Sequence, residues 1–164
     1  MGVIGLTTRE DIYTAFWNLV SSDPVPNTPP GSSSASPFVT KSRLLRHWNQ
    51  VPAEQQPALF MAETTQGAVS DRETITGIPY RWKLRAKLWL YSQRGADDTV
   101  IPAITMNVLI QAVVNAIRNP EIGEPQTLGG LVKSVRIGDI STDEGQLGSQ
   151  AISVVPVEIF TAEL

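Results

Sequence analysis

The sequence predicts an α+β domain, a mostly antiparallel sheet with two helices packed on one face, in the element order α-β-β-β-α-β-β. Three observations lead there. The segment from Tyr80 to Gln93 alternates apolar and polar or aromatic residues along its whole length. Two stretches, one near the start and one past the middle, repeat apolar residues at helical spacing. The strands are joined by connections of hairpin length, and runs of strands are interrupted by the helices.

The first helix is expected from about Arg9 to Ser21, where Ile12, Phe16, Leu19 and Val20 fall on one face. Thr7 and Glu10 have capping-box spacing, so Thr7 can accept from a free N–H while Glu10 reaches back. Asp23-Pro24 ends the helix, because proline disfavours the helical conformation in the residue before it. Asp23 to Pro37 is rich in Pro, Ser and Gly and is read as a long flexible loop at 23–37. Phe38 to Trp48 suggests a strand, Val51 to Gln56 a turn, and Pro57 to Thr64 a short apolar strand. Residues 65–79 are polar, with Gly67 and Gly77, and read as an extended hairpin arm.

Tyr80 to Gln93 is the clearest strand. Period 2 puts Tyr80, Trp82, Leu84, Ala86, Leu88 and Leu90 on a core face, and Arg81, Lys83, Arg85, Lys87, Trp89 and Tyr91 on the other. A turn follows over 95–100. The second helix is expected from about Ile101 to Arg118, with Pro102 in its first turn and an apolar stripe of Met106, Leu109, Ile110, Val113, Ala116 and Ile117. Asn119-Pro120 stops it. After a Pro/Gly loop, two strands at about Leu131 to Ile140 and Gln150 to Thr161 should form an antiparallel hairpin around Asp143-Glu144-Gly145. No internal repeat is visible.

Composition bounds the function classes. The 164 residues fit a single domain spanning 1–164, long enough to bury roughly 68–70% of the unfolded surface without a staple. A net charge of -3 offers no global basic field for nucleic acid. Zero cysteines exclude thiol catalysis, disulfides and cysteine-based zinc sites. No apolar run approaches a membrane span, and the Met1 to Leu6 start has neither a basic n-region nor a myristoylation pattern, so a cytosolic protein is expected.

Little in the chain points to catalysis. The one histidine, His47, would have to serve any Ser-His-Asp arrangement, and a surface or hydrogen-bonded histidine is the plainer reading. The carboxylate pairs Asp97/Asp98 and Asp143/Glu144 lie in expected turns, where Asp is favoured for local hydrogen bonding. Gly129-Gly130 lacks the Lys-Ser/Thr of a phosphate loop. No catalytic residue, metal site or cofactor is therefore expected, and the chain is read as non-enzymatic. The candidate functional residues are Arg81, Lys83, Arg85, Lys87, Trp89 and Tyr91. Like charges in a row repel, so this face needs acids from adjacent strands, such as Glu63 or Glu158, or from a partner. Trp89 and Tyr91 beside the cations favour a subunit interface, where Trp, Tyr and Arg act as anchors, or a surface facing passing DNA.

Several segments together resemble the tail-terminator family of long-tailed bacteriophages, of the lambda type. They are the helix from Arg9-Glu10-Asp11-Ile12-Tyr13, Ser42-Arg43-Leu44-Leu45-Arg46-His47-Trp48 followed by Val51-Pro52-Ala53-Glu54-Gln55-Gln56-Pro57-Ala58-Leu59-Phe60, and Gly77-Ile78-Pro79-Tyr80-Arg81-Trp82-Lys83-Leu84 running into Leu88-Trp89-Leu90-Tyr91. The element order is also similar, and the likeness covers most of the chain outside the Ser/Pro loop. It implies a homohexameric ring in the virion, assembled in the host cytoplasm, that caps the tail tube and ends its polymerisation. The implied partners are further copies of the chain, the tube protein and the head–tail connector, with genomic DNA passing through the lumen without sequence-specific binding, and no membrane. A head-completion (stopper) or tail-tube protein of the same fold is the alternative, and a nucleic-acid-binding module using the basic strand is a third reading.

Overall fold

A computed structural model describes residues 7–69, 81–93, 101–143 and 150–162. It has the expected class: two helices lie against a six-stranded, mostly antiparallel sheet. The elements run α1 (Arg9–Val20), β1 (Thr40–Ser42), β2 (Ala58–Ala68), β3 (Trp82–Gln93), α2 (Pro102–Ile117), β4 (Ser134–Ile137), β5 (Ser141–Asp143) and β6 (Gln150–Thr161), with two single 3-10 turns between β1 and β2. The sheet order is β1-β2-β3-β6-β4, and β5 also pairs with β6. β1 runs parallel to β2, while every other pairing is antiparallel.

Helix α1 starts at Arg9 as expected, but its cap lies one residue later than the sequence pattern suggests. Thr8, not Thr7, caps it: Thr8 Oγ1 accepts from Asp11 N at 3.1 Å, and Asp11 Oδ2 accepts from Thr8 N at 2.8 Å. The Thr8 hydroxyl also donates to Asp11 Oδ2 at 2.7 Å, and this bond first, then the one from Thr8 N, holds the Asp11 carboxyl below its ordinary range. Both Glu10 and Asp11 sit at helical positions that reach backwards, and the shorter Asp side chain makes the reciprocal bond. Glu10 turns outward instead, to Arg43 and Thr14.

The main core lies between the helices and one sheet face. Ile12, Phe16 and Val20 of α1 and Met106, Leu109, Val113 and Ile117 of α2 pack on Leu84, Leu88 and Leu90 of β3 and Val155, Val157 and Ile159 of β6. Tyr13 joins them, which the apolar stripe alone missed. Its ring is buried and its hydroxyl donates to the Arg85 carbonyl at 2.9 Å. Arg85 lies where β2 bulges: Glu63 pairs with Ala86 and Gln66 with Leu84, leaving Thr64 and Thr65 both opposite Arg85.

The expected strand at 131–140 shortens to β4, and a further short strand, β5, follows beyond it; proline explains the break between them. Pro156 lies in the interior of β6, between the stretches paired with β4 and with β5. Its carbonyl accepts from Gly138 N at 2.9 Å, and with no N–H it cannot continue the ladder there. A Cβ on Gly138 would stand 3.2 Å from Pro156 Cγ, so glycine lets the chain pass close as it leaves β4.

The expected strand at 38–48 shortens to three residues. Ser42 Oγ accepts from Leu44 N at 3.0 Å and turns the chain out of the sheet. His47 then caps the first 3-10 turn, Trp48–Gln50. The crossover between β1 and β2 folds over one end of the second sheet face. There Val51 packs with Ala58, Phe60, Tyr91 and Ile152 in a separate small core, joined by parts of Trp48 and Trp89.

The 23–37 segment contains no helix or strand, in keeping with a loop, and it is tied at several points. Ser36 N donates to Asp23 Oδ1 at 3.1 Å, Val25 N donates to the Ser34 carbonyl, and Asn27 Nδ2 donates to the Arg118 carbonyl at the end of α2. The 65–79 arm begins as the continuation of β2 to Ala68, and 70–79 lie outside the described residues.

Candidate functional site: the open basic face of the sheet

Strand alternation sets the site. With the even residues of β3 committed to the helices, Lys83, Arg85 and Lys87 point to the opposite face. The register then brings partners from two other strands beside them. Arg85 pairs with Glu158, which pairs on its other side with Arg136 of β4. Lys83 pairs with Phe160, which pairs with Ser134. The result is a cross-strand patch of Lys83, Arg85, Lys87, Arg136, Glu158 and Phe160.

Its electrostatics are lopsided. β3, β4 and β6 hold one acid between them, Glu158. That carboxylate meets Arg85 Nε at 3.2 Å and Lys83 Nζ at 3.5 Å through the same oxygen. Arg85 also donates to Thr65 Oγ1 at 3.3 Å. Arg136 and Lys83 lie over the Phe160 ring, at 5.0 and 5.9 Å from its centroid, within cation–π range. At the arm end, Arg81, Lys133, Arg136 and Phe160 line a pocket of about 230 Å³. Arg81, Lys87, Lys133 and Arg136 make no ion pair with any described residue.

The expected residues separate into two groups. Lys83, Arg85 and Lys87 share the open face as the alternation requires, and Arg81 lies just before β3. Trp89 is half-buried between this patch and the small second core, with its indole Nε1 buried and without a hydrogen-bond partner among the described residues. Tyr91 is on the same face but is not exposed. The crossover covers it to 3% exposure, its hydroxyl donates to the Arg46 carbonyl at 2.9 Å, and its ring tilts against Phe60 at 5.4 Å. Burial also raises its phenol pKa. Alternation assigned the face correctly, but it carries no information about a loop folding back over that face.

Glu63, one of the two acids expected to answer the basic row, is on the other side of the sheet. There it binds Arg43 at 2.5 Å and approaches Arg9 at 3.7 Å. Arg43, just after β1, also holds Glu10 at 2.5 Å and so ties α1 to β2 and to the end of β1. Sequence reasoning missed Arg136, Lys133 and Phe160. The only available signal was the alternation of Ser134 and Arg136 with Val135 and Ile137, which is too short to fix a partner register and says nothing of Lys133, just before β4.

The remaining polar groups do not converge. His47 is exposed, with Nδ1 2.8 Å from Asn49 Oδ1 in its own turn. Among the described residues no group of three or more His, Asp or Glu could hold a metal, and no helix is long and apolar enough to cross a membrane. Asp97, Asp98 and Glu144 lie outside the described residues, and Asp143 ends β5. No family model matches the chain, and no curated protein matches it.

Proposed function

We propose that this chain is a structural, non-enzymatic virion protein that forms a ring on the end of a phage tail tube, stops its growth and joins the tail to the head connector. The observation that carries this reading is the open basic face. A surface drawn from β3, β6 and β4, with one acid among its cations and a half-buried tryptophan at its border, is suited to meet another macromolecule. The resemblance of the 9–13, 42–60 and 77–91 segments to tail terminators supplies the identity of that assembly. In the ring, the same cations can face DNA passing through the lumen, where phosphate attraction is independent of sequence.

Electron microscopy tests the reading. Class averages of the purified protein, alone or on isolated tail tubes, are expected to show closed rings. A lysate lacking the protein is expected to contain overlong tails. Normal-length detached tails would instead assign a neck protein, and unaltered phage would remove the proposal.

One observation favours a second reading, a nucleic-acid-binding module: the four cations Arg81, Lys87, Lys133 and Arg136 have no acidic counterpart among the described residues. That reading requires duplex binding by the isolated subunit that weakens steeply with salt. Binding that appears only after ring assembly favours the first.

A further inference from the structure

The second helix presents a surface unlike that of an ordinary solvent-facing helix. Such a helix places charged and polar residues opposite its apolar stripe. Helix α2 contains no charged residue over Pro102–Ile117. Its inner face is in the core, yet Ile104 and Val108 on the outer side are each 59% exposed, and Ile101 at the N-cap is 56% exposed. Spacings of three and four put these residues in one stripe. The stripe runs into a groove of about 460 Å³ between α2 and the 23–37 loop, where Val108 and Ala112 face Val25, Pro29 and Pro37.

The same chain carries a second exposed apolar feature in a different place. Leu44 and Leu45, 75% and 39% exposed, project where the chain turns out of β1. β1 is one edge of the sheet. Helix α2 packs under β3 and β6, on the far side of β2. A concave apolar surface and a convex one, separated across one subunit, are what a head-to-tail contact needs, because each copy must offer one to each neighbour.

Other occupants fit less well. With no Lys or Arg, α2 lacks the cations that hold an interfacial helix on an anionic membrane or a protein on a nucleic-acid backbone. We infer that the outer face of α2, from Ile101 through Val108 into the loop groove, receives Leu44 and Leu45 of a second copy of this chain. The inference rests on the ring reading and assigns its subunit contact. It leaves the basic sheet face free for the other partners.

The absence of cysteine allows a direct test. Val108→Cys and Leu44→Cys variants, mixed and treated with a short bis-maleimide, are expected to give cross-linked dimers containing one copy of each, while either variant alone gives none. Val108→Cys cross-linking to itself would overturn the head-to-tail contact in favour of a two-fold one. No cross-link in a mixture that light scattering still shows as rings would overturn this contact and leave the ring standing. No cross-link and no ring, on tail tubes or off them, would remove both. As a second measurement, Val108→Asp on this exposed position is expected to keep the native circular dichroism spectrum and weaken self-association at least tenfold. Unchanged association would refute the inference.

Discussion

Replacing Tyr91 separates two roles that the sequence alone assigns to one face. Position 91 belongs to the row of cations and aromatics that reads as an interface, so Tyr91→Ala would then disrupt association and spare folding. The structure instead buries the ring in the small second core, against Phe60, with its hydroxyl bonded to the Arg46 carbonyl. Truncating a buried aromatic to alanine costs about 3–5 kcal/mol. Tyr91→Phe keeps the ring and removes one hydrogen bond, for about 0.5–1.5 kcal/mol. With a urea m-value of about 2 kcal/mol/M, Tyr91→Ala is expected to lower the unfolding midpoint by roughly 2 M, and Tyr91→Phe by roughly 0.5 M. The assay is urea unfolding followed by tryptophan fluorescence, at a concentration where wild type and variant have the same oligomeric state. A Tyr91→Ala protein with the wild-type midpoint that no longer self-associates would refute the core assignment and restore Tyr91 as an interface anchor. Trp89→Ala is the control: Trp89 is half-buried at the border of the same core, so its loss is expected to lower the midpoint less than Tyr91→Ala does and to leave self-association through α2 in place.

Thr8→Ala is expected to destabilise the fold by about 1 kcal/mol through loss of the α1 cap, while Thr7→Ala stays within about 0.5 kcal/mol, as read by thermal or urea unfolding. The Glu10 carboxyl is held below its ordinary value of 4.5 chiefly by its hydrogen bond to Arg43 and then by the one from Thr14. A depressed folded-state pKa stabilises above the unfolded value and loses that contribution as pH falls through the folded one. The stability gap between wild type and Arg43→Ala should therefore be present at neutral pH and narrow below about 4.5, a trend that pH-dependent unfolding would reveal. Replacing Arg81, Lys87, Lys133 and Arg136 together with alanine is expected to leave the fold intact. It should also lower the salt dependence of duplex DNA binding by the assembled protein by about 0.9 per phosphate contact removed.

How much of the fold was legible follows from where its information is local. β3 and β6 each bury one face along their whole length; alternation gave the extent of β3 to within about two residues, and the preceding turn residues placed β6. The stripes of α1 and α2 were legible for the same reason, since helical spacing records a single buried face. β1 and β4 were not, because their limits depend on other segments. β1 ends where Ser42 and His47 make side-chain bonds that favour turning out. β4 ends where a proline on a different strand, Pro156, withholds its N–H. The parallel pairing of β1 with β2 was equally hidden, because a strand of three residues leaves no periodic signal to align.

The site shows the same division between local and non-local information. The basic row on β3 could be read from one strand, but its chemistry depends on what the neighbouring strands place beside it. Glu158 neutralises part of the charge of Lys83 and Arg85, and so moves the unanswered charge outward to Arg81, Lys87, Lys133 and Arg136. The charge that remains for a partner is therefore not the row the sequence displays: Arg81, Lys133 and Arg136 gather around Phe160, and Lys87 stands farther along β3. The structure also divides the aromatics of that row: Tyr91 belongs to the chain's own core, and Trp89 stands at its border. On the proposed reading as an assembly subunit, this division has a mechanical use. A rigid small core at one end of the sheet holds the cation patch in register, while the uncharged outer face of α2 lies on the opposite side of the sheet. One chain can then engage a neighbouring copy through α2 and a charged partner through the sheet at the same time.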